Sequence, residues 1–389
     1  MTQVFDGLRI NGYRGLEVVE LSQLGQVNIF VGNNNSGKTS LLEAISILCN
    51  PLDPFQWLEV SQRRSYLGRS AIAGLQPNLE AVKWIFPQKK GFISEKFYQD
   101  ETSIESVNSV SKEILIEASG NAPINSFTAK LGEIYGSGIE KDHQERANED
   151  SPPSDEDISS DEMGSVRSGL ELEIAVILAS EQVNLLNSEP KREMFQFWEN
   201  ERFIYRGRNK PFVKNATIFP SYSSSAPILN RLSRVILQEE DGKNEVLELI
   251  RSFDDDILDI QILSTPTARA TLYIEHKELG FAPLYIFGDG FKRTLVIALA
   301  LLTINNGVLL IDEIETSIHV SALGYVFSWL IEACRHRGIQ LFVTTHSLEA
   351  IDAMLQPEIA TDDVVAFRLN PKGQVPQRFS GDLLHRLRS

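Results

Sequence analysis

The chain of 389 residues is long enough to bury a sizeable core and to form more than one structural unit. Hydrophobic residues make up 42% and charged residues 23%, proportions that exclude a fibrous chain and one disordered along its whole length. The formal net charge is −16, and residues 140–162 hold ten acidic side chains against two basic ones. Because half of the charge is concentrated there, the acidic balance neither excludes nor supports contact with DNA.

Cys49 and Cys334 lie far apart without C-x-x-C spacing, which predicts buried thiols in a reducing compartment and no disulfide framework. The longest apolar run, Leu295 to Leu302, is too short to cross a bilayer. The N-terminus lacks the charged start and apolar stretch of a secretion signal. We therefore expect a cytoplasmic protein with no membrane partner.

The first elements in chain order are strands. Residues 27–31 form an apolar run that ends at a glycine, which predicts a buried strand, and residues 41–48 then place leucine and isoleucine at helical spacing. Alternation of apolar and polar residues predicts further strands at residues 5–10, 16–21, 114–117 and 170–174. The last two of these fit an antiparallel sheet with one solvated face.

Residues 138–168 contain the acidic stretch, and its core, residues 148–157, has almost no apolar content. They cannot bury enough surface to offset the entropy of ordering, so we predict a disordered, solvated loop. A regulatory or partner-mimicking role for this loop has no positive support in the sequence.

Residues 191–214 combine seven basic side chains with six aromatic ones. Such a mixture could bind nucleic acid or an acidic partner. We favour a core-facing aromatic stripe with a charged, solvated face, because the segment has no groove-reading motif.

The apolar pattern from Ala226 to Ile262 is mainly helical, with a break at Asp241 and Gly242. Strands, a glycine-rich turn, a long apolar helix, a buried strand, a helix and another buried strand follow. This alternation in the last third of the chain is typical of a parallel α/β sheet.

The clearest motif, G-x-x-x-x-G-K-[ST], lies between a predicted strand and a predicted helix. Glycines let successive backbone N–H groups face phosphates, and the helix N-terminus adds partial positive charge. In this pattern Lys38 reaches the β- and γ-phosphates and the Thr39 hydroxyl binds Mg²⁺. A glycine-rich turn is the alternative, and the flanking elements argue against it. The predicted phosphate loop is Gly32-Asn33-Asn34-Asn35-Ser36-Gly37-Lys38-Thr39, with Ser40 following.

The apolar strand 308–311 ends in a pair of acids, Asp312 and Glu313. Alone, such a pair is usually a solvated strand end. In combination with a phosphate loop, Asp312 is expected to help hold Mg²⁺ and Glu313 to polarise the attacking water. Asp312 follows Lys38 by 274 positions, a gap that favours a head whose two lobes are separated in sequence by a large insertion.

Two glycines, Gly288 and Gly290, stand at the start of an apolar helix shortly before the acid pair. A tight turn is one interpretation. The other is a second phosphate-binding helix start, which would face a γ-phosphate bound to another copy because this chain already has one phosphate loop.

His346 follows the buried strand 340–345 and stands 33 positions after Glu313. A histidine there can hydrogen-bond the γ-phosphate and sense its loss. The remaining histidines show no metal-ligand spacing, and Asp254, Asp255 and Asp256 fit a solvated turn better than a metal site.

These four motifs, in this order, resemble those of the ABC-type heads of the RecF, SMC and OLD-family ATPases. The OLD-like ATPases are the nearest resemblance, which covers residues 1–50 and 226–356 and leaves 51–225 without a match. The segments that carry it are the opening hairpin Leu8–Gly15, the signature-like turn Gly288–Arg293, the acid-pair segment 312–319 and the histidine segment 344–349.

The fold that this resemblance implies is α/β, a two-lobed ABC-type P-loop ATPase head with a mixed or antiparallel lobe I sheet, a parallel lobe II sheet and a helical insertion. The expected divisions are lobe I at 1–50 and 112–220, a helical insertion at 51–111, the acidic loop at 138–168, a helical arm at 221–265 and lobe II at 266–389.

The resemblance also implies roles for residues. Lys38, Glu313 and His346 are expected to be catalytic, Thr39 and Asp312 to hold Mg²⁺, and Arg14 to reach the nucleotide together with the phosphate loop. A homodimer or higher oligomer is also implied, because the signature-like turn of one copy would contact ATP bound to a second copy. The residues of this turn that are expected to make the contact are Gly288, Asp289, Gly290 and Lys292.

Full-length OLD nucleases continue into a TOPRIM nuclease domain, whereas about 40 residues follow His346 here, without an acidic cluster of nuclease spacing. We therefore expect an ATPase that is not itself a nuclease. Chains of this kind resemble the ATPase half of two-gene anti-phage systems, which implies a separate effector such as a nuclease or toxin. The alternative is a RecF-like repair ATPase that clamps duplex DNA. A transporter subunit is disfavoured because the signature turn differs.

Overall fold

The fold was derived from a computed structural model. The predicted acidic loop lies outside the described residues as far as residue 165. The described residues are 3–62, 77–88, 112–137, 166–179, 189–199, 201–205, 207, 209–220, 231–236, 241–265, 268–356, 363–370 and 375–388.

The described strands form three sheets, with the orders β2-β1-β4-β5-β6-β7, β11-β10-β9 and β15-β14-β3-β13-β12-β8. Their bounds are β1 (Gly7–Tyr13), β2 (Leu16–Ser22), β3 (Val27–Val31), β4 (Lys112–Ser119), β5 (Ile124–Ser137), β6 (Val166–Leu178), β7 (Lys191–Trp198), β8 (Lys214–Ile218), β9 (Ile257–Thr265), β10 (Ala268–His276), β11 (Gly280–Pro283), β12 (Gly307–Ile311), β13 (Gln340–Thr344), β14 (Val364–Arg368) and β15 (Gln377–Ser380).

The helices surround the third sheet and lie beside the first. Residues 231–236 are also helical, and Leu284–Ile286 form a single 3₁₀ turn. The helices with defined bounds are α1 (Lys38–Cys49), α2 (Pro54–Gln62), α3 (Leu79–Lys83), α4 (Gly242–Arg251), α5 (Asp289–Leu302), α6 (Val320–His336), α7 (Leu348–Met354) and α8 (Gly381–Arg388). Within the described part of the chain, no helix is long and apolar enough to span a membrane.

The first sheet is antiparallel throughout. Its strands alternate buried and exposed residues, as β1 does, so that one face packs on the core and the other meets water. The strands predicted near the N-terminus and at 114–117 and 170–174 are confirmed in β1, β2, β4 and β6.

The third sheet is the centre of the molecule and holds the phosphate-loop strand β3 between β14 and β13. β3, β8, β12, β13 and β14 run parallel, and β15 closes one edge antiparallel. Every residue of β12 and β13 is buried, which explains the apolar runs 308–311 and 341–343. The predicted parallel sheet is therefore confirmed, and its mixed character comes from β15.

Two hydrophobic cores cover the opposite faces of this central sheet. One face presents Ile29, Leu309 and Leu341 to the core that contains the buried side of α5. The other presents Phe30 and Phe342 to the core that contains α1 and the first sheet. Helix α1 is consequently packed between two sheets and is buried along nearly its whole length.

The two cysteines are buried free thiols, as predicted. Cys49 ends α1 and Cys334 lies in α6. Burial raises the pKa of Cys49 to about 12 and also raises the pKa of Cys334, so both stay protonated at neutral pH.

The structure corrects several predicted boundaries. Strands β3 and β8, assigned to lobe I at 1–50 and 112–220, belong to the central parallel sheet, because their buried residues pair with β13 and β12. The predicted helical arm 221–265 ends in strand β9, whose β-branched isoleucines favour an extended backbone. β6 begins at Val166, within the predicted loop.

Candidate functional site

The phosphate loop joins β3 to α1 and curls around its own lysine. Gly37 caps the helix at φ 92°, a conformation that residues with a side chain rarely adopt. Lys38 Nζ donates to the carbonyls of Gly32 at 2.9 Å and Asn33 at 3.0 Å. Burial lowers the pKa of Lys38, while the carboxylates across the site oppose this effect. The ammonium group is thus held at the mouth of the loop.

Asp312 and Thr39 lie in contact at the carboxyl edge of the central sheet. Thr39 Oγ1 donates to Asp312 Oδ2 at 3.0 Å, across 273 positions of sequence. The contact follows from the strand order, because β3 and β12 are separated only by β13 and all three end at the same edge. The phosphate loop and the acid pair predicted from sequence are therefore brought together.

Glu313 has a left-handed backbone with φ 47°, which costs about 1–3 kcal/mol in a residue that is not glycine. Three groups hold it. Its N–H donates to Thr344 Oγ1 at 2.8 Å, and Thr316 Oγ1 donates to its Oε2 at 3.2 Å. The third group is the buried side chain of Arg293, which donates to the Glu313 carbonyl. The strained backbone thereby turns the second acid away from the line of β12.

Arg293 is only 4% exposed. Its guanidinium donates to the carbonyls of Phe219 at 2.5 Å, Asp312 at 2.8 Å and Glu313 at 3.4 Å. Burial lowers its pKa to about 10, against nearby carboxylates that raise it. The group stays charged at neutral pH and ties the first turns of α5 to the acid pair.

His346 lies just beyond β13 and is exposed beside the phosphate loop. Its backbone N–H donates to Glu315 Oε1 at 2.9 Å. The other carboxylate oxygen of Glu315 is buried without a hydrogen-bond partner among the described residues. The Glu315 carboxylate thus joins the acid-pair segment to the histidine segment. The His346 side chain lines the cavity.

Arg14 lies in the turn between β1 and β2 and is held by the phosphate-loop helix. Its Nε donates to Glu43 Oε2 at 2.7 Å, and its Nη2 donates to the Val60 carbonyl at 3.1 Å. Burial alone would lower the pKa of Arg14, but Tyr13 and Glu43 raise it overall. A fixed positive charge therefore lines the wall of the site.

A cavity of about 750 Å³ lies between these elements. Its floor is the phosphate loop and the acid pair, and His346 and Arg14 lie on its walls. Ser36 Oγ is buried in the loop without a hydrogen-bond partner among the described residues. The remaining lining comes from the β1–β2 turn and from the segment that follows β14: Gly15, Leu16, Glu17, Val19, Leu369, Asn370 and Pro376.

The predicted signature turn lies outside this cavity, at the start of α5. Gly288 caps the helix, and a Cβ there would meet nothing within 4 Å. At Gly290, by contrast, a Cβ would lie 2.6 Å from the Ser317 carbonyl. Gly290 therefore has a packing role within the chain, while Gly288 stands at an open surface. Lys292 Nζ pairs with Asp289 Oδ1 at 2.9 Å.

Five of the six aromatic residues of 191–214 belong to the core or pack against it, as the favoured interpretation predicted. Phe195 and Phe197 are buried at 4% and 0% exposure. Phe203 and Tyr205 are partly buried and pack against them. Arg206 and Arg208 lie outside the described residues, so the charged side of this segment is only partly defined.

The side chains of Asp254, Asp256 and His276 form a cluster, and all three are of types that bind metal ions. His276 Nδ1 accepts from the backbone N–H groups of Glu278 and Leu279, which leaves the proton on Nε2 to donate to Asp254 at 3.1 Å. Asp256 pairs with Lys277 at 2.9 Å. The polar groups of the cluster thus bond to one another, to backbone N–H groups and to Lys277.

The sequence analysis assigned no roles to four residues of the site: Glu43, Arg293, Glu315 and Thr344. Arg293 carried a detectable signal, because a charged residue inside an otherwise apolar helix must be paired when buried. Thr344 carried none, since a threonine at a strand end is ordinary. Glu43 and Glu315 act through distant partners that only the fold brings near.

Comparison with known proteins places the chain among nucleotide-binding domains. The family model described as "AAA domain, putative AbiEii toxin, Type IV TA system" matches residues 27–352. The match runs through 51–225, for which the sequence analysis found no resemblance.

Two curated relatives differ greatly in how much of the chain they cover. An uncharacterized protein of Methanocaldococcus jannaschii is 44% identical over 69 residues, which are 18% of this chain and 60% of that protein. The chain thus covers less than two thirds of that relative. An ATP/GTP phosphatase of Helicobacter pylori is 22% identical over 400 residues, covering 98% of this chain and 97% of the relative.

Among solved structures, the chain is similar to an SMC head bound to the C-winged helix domain of ScpA, with TM-score 0.46, 12% identity and 97% of each chain covered. It is also similar to an SMC head with an extended coiled coil, bound to the C-terminal domain of ScpA derived from Pyrococcus furiosus. That comparison has TM-score 0.43, 10% identity and full coverage of both chains.

Proposed function

The chain belongs to this family of AAA domains, and on that premise we propose that it is an ABC-type ATPase that binds ATP in the cavity between the phosphate loop and the acid pair. The observation that carries the proposal is the contact of Thr39 with Asp312 at 3.0 Å. It places the loop that would hold the triphosphate against the acids that would act on it. The relative named an ATP/GTP phosphatase adds support along almost the whole chain.

The residues of the cavity fit a triphosphate. Lys38 would exchange the two loop carbonyls for phosphate oxygens, and the buried Ser36 hydroxyl would find a partner. Arg14 adds a fixed positive charge on the wall. The nucleoside would lie toward the β1–β2 turn and the segment after β14, where the wall combines aliphatic groups with Glu17 and Asn370.

Thr39 and Asp312 offer the oxygen donors that Mg²⁺ prefers and already lie in contact, so the site fits that ion. Bound Mg²⁺ would neutralise charge that develops on the phosphates. Glu313 would orient and polarise the attacking water, because its strained backbone is fixed by several hydrogen bonds. His346 would hydrogen-bond the γ-phosphate from the opposite wall.

A second copy would complete the site. The start of α5 lies outside its own chain's cavity, and Gly288 leaves its surface open. We infer that this helix start, with Lys292, approaches the γ-phosphate held by a partner copy, so that a head-to-tail pair contains two composite sites. ATP would then hold the pair closed, and hydrolysis would release it.

Substitution of the second acid tests this proposal. The Glu313→Gln variant should bind ATP but hydrolyse it about 10²- to 10⁴-fold more slowly, because the base is lost. Light scattering after gel filtration should then detect an ATP-dependent dimer of this variant, and Lys38→Ala in the same background should abolish it. A Glu313→Gln protein that stays monomeric in saturating ATP would contradict the composite site.

We further propose that the dimer is a switch that controls a separate effector in bacterial defence. The family description, which names a toxin and a toxin–antitoxin system, supports this direction. A tagged chain isolated from its native host should retain one stoichiometric protein, and duplex DNA should leave its ATPase rate unchanged. DNA stimulation that falls steeply with salt, without such a protein, would favour the repair clamp instead.

A further inference from the structure

We propose that Thr344 is a positioning residue that aligns both acids of the hydrolytic site through one hydroxyl group. The proposal rests on the function proposed above and extends it to a residue that acts through the two acids. Thr344 is the last residue of β13 and is fully buried.

The hydroxyl of Thr344 is used in both directions. Thr344 Oγ1 donates to Asp312 Oδ1 at 2.6 Å and accepts from the backbone N–H of Glu313 at 2.8 Å. The first bond fixes the orientation of the carboxylate that also accepts from Thr39. The second fixes the peptide unit at which the backbone of Glu313 turns left-handed. A single oxygen thus sets the side chain of one acid and the backbone of the other.

The position of Thr344 in the sheet makes this arrangement rigid. β13 lies between the phosphate-loop strand and the acid-pair strand, and Thr344 pairs with Phe30. Its carbonyl accepts from the N–H of Ile314 at 3.1 Å, so the acid-pair segment is bonded to Thr344 on both sides of Glu313. Because the threonine is anchored on a central strand, it can hold the acids within the small tolerance that catalysis needs.

Two substitutions separate the hydroxyl from the shape of the residue. Thr344→Val keeps the branched shape and removes the hydroxyl, while Thr344→Ser keeps the hydroxyl and removes a methyl group. If Thr344 had only a structural role, the activity of the two variants would follow their folding stability. If Thr344 positions the acids, activity follows the presence of the hydroxyl, because only the hydroxyl reaches both acids.

The matched control is Thr217→Val. Thr217 is a buried threonine of β8 in the same sheet, and its hydroxyl donates to Ser46 Oγ at 3.2 Å. This substitution removes a buried strand hydroxyl of the same kind that bonds Ser46 rather than Asp312 or Glu313. It therefore measures the general effect of such a loss on turnover.

The experiment measures kcat and KM for ATP, together with the Mg²⁺ concentration that half-saturates thermal stabilisation by ADP, in wild type and the three variants. Thr344→Val should lower kcat about 10- to 100-fold with little change in KM, and should raise the half-saturating Mg²⁺ about 10-fold. Thr344→Ser and Thr217→Val should stay within about 3-fold of wild type in both measurements.

Wild-type values for Thr344→Val, or equal losses in Thr344→Val and Thr344→Ser, would overturn the proposal. The ADP measurement requires no turnover. A wild-type protein without ATPase activity would therefore refute the proposed function, while the Mg²⁺ titration would still decide the role of Thr344.

Discussion

Replacing Arg293 by methionine tests how the acid pair is held. Met retains much of the length and apolar contact of the side chain but removes the guanidinium fork that bonds three carbonyls. Each charge-assisted hydrogen bond contributes about 1.5–3 kcal/mol. Against that gain stands the burial of the charge, which lowers the pKa of Arg293 to about 10 and costs about 3 kcal/mol. We therefore expect Arg293→Met to lower the free energy of unfolding by about 2–5 kcal/mol.

Urea unfolding followed by tryptophan fluorescence measures this loss. The matched control is Lys292→Met, which removes a cation from the same turn of α5, where Lys292 is paired at the surface with a carboxylate that is 80% exposed. That pair should contribute less than about 1 kcal/mol. Equal effects of the two substitutions, both below about 1 kcal/mol, would refute the role assigned to the buried guanidinium.

Three further predictions concern charge and packing at the site. Because burial lowers the pKa of Lys38 and a triphosphate would raise it, ATP binding should take up more protons at about pH 9 than at about pH 7. Calorimetry in buffers of different ionisation enthalpy measures this uptake, and equal uptake by Lys38→Arg would contradict it. Gly290→Ala should destabilise the fold by about 1–3 kcal/mol in urea unfolding, since its Cβ would meet a carbonyl at 2.6 Å; equal stability of Gly290→Ala and the open-surface control Gly288→Ala would refute this. Glu43→Gln should lower the melting temperature, because it leaves the buried charge of Arg14 without its carboxylate; an unchanged melting temperature would exclude that role.

The local sequence was sufficient to predict the elements that carry the site. The phosphate loop is recognisable from its glycine spacing between an apolar strand and a helix with apolar residues at helical spacing, and β12 is recognisable from an apolar run that ends in acids. Both patterns arise from short-range requirements of backbone conformation and burial. For the same reason the first antiparallel sheet could be predicted from its period-two alternation.

Sheet membership could not be read in the same way. β8 is a short strand with a polar start, and only its pairing with β12 places it in the central sheet, about 90 positions away along the chain. The long-range contacts of the site, such as Thr344 with Asp312, depend on that strand order as well. The role of Gly290 was also hidden, because a close approach to Ser317 leaves no local signature.

Subunit mixing tests whether each ATP site is completed by a second copy. Lys38→Ala disables the phosphate loop, and Gly288→Glu places a negative charge on the open start of α5 without meeting its own chain. Each variant alone should lack ATPase activity. A 1:1 mixture should recover about a quarter of the wild-type rate, since half of the dimers would be mixed and each would contain one intact composite site. A mixture as inactive as its two components would contradict the account.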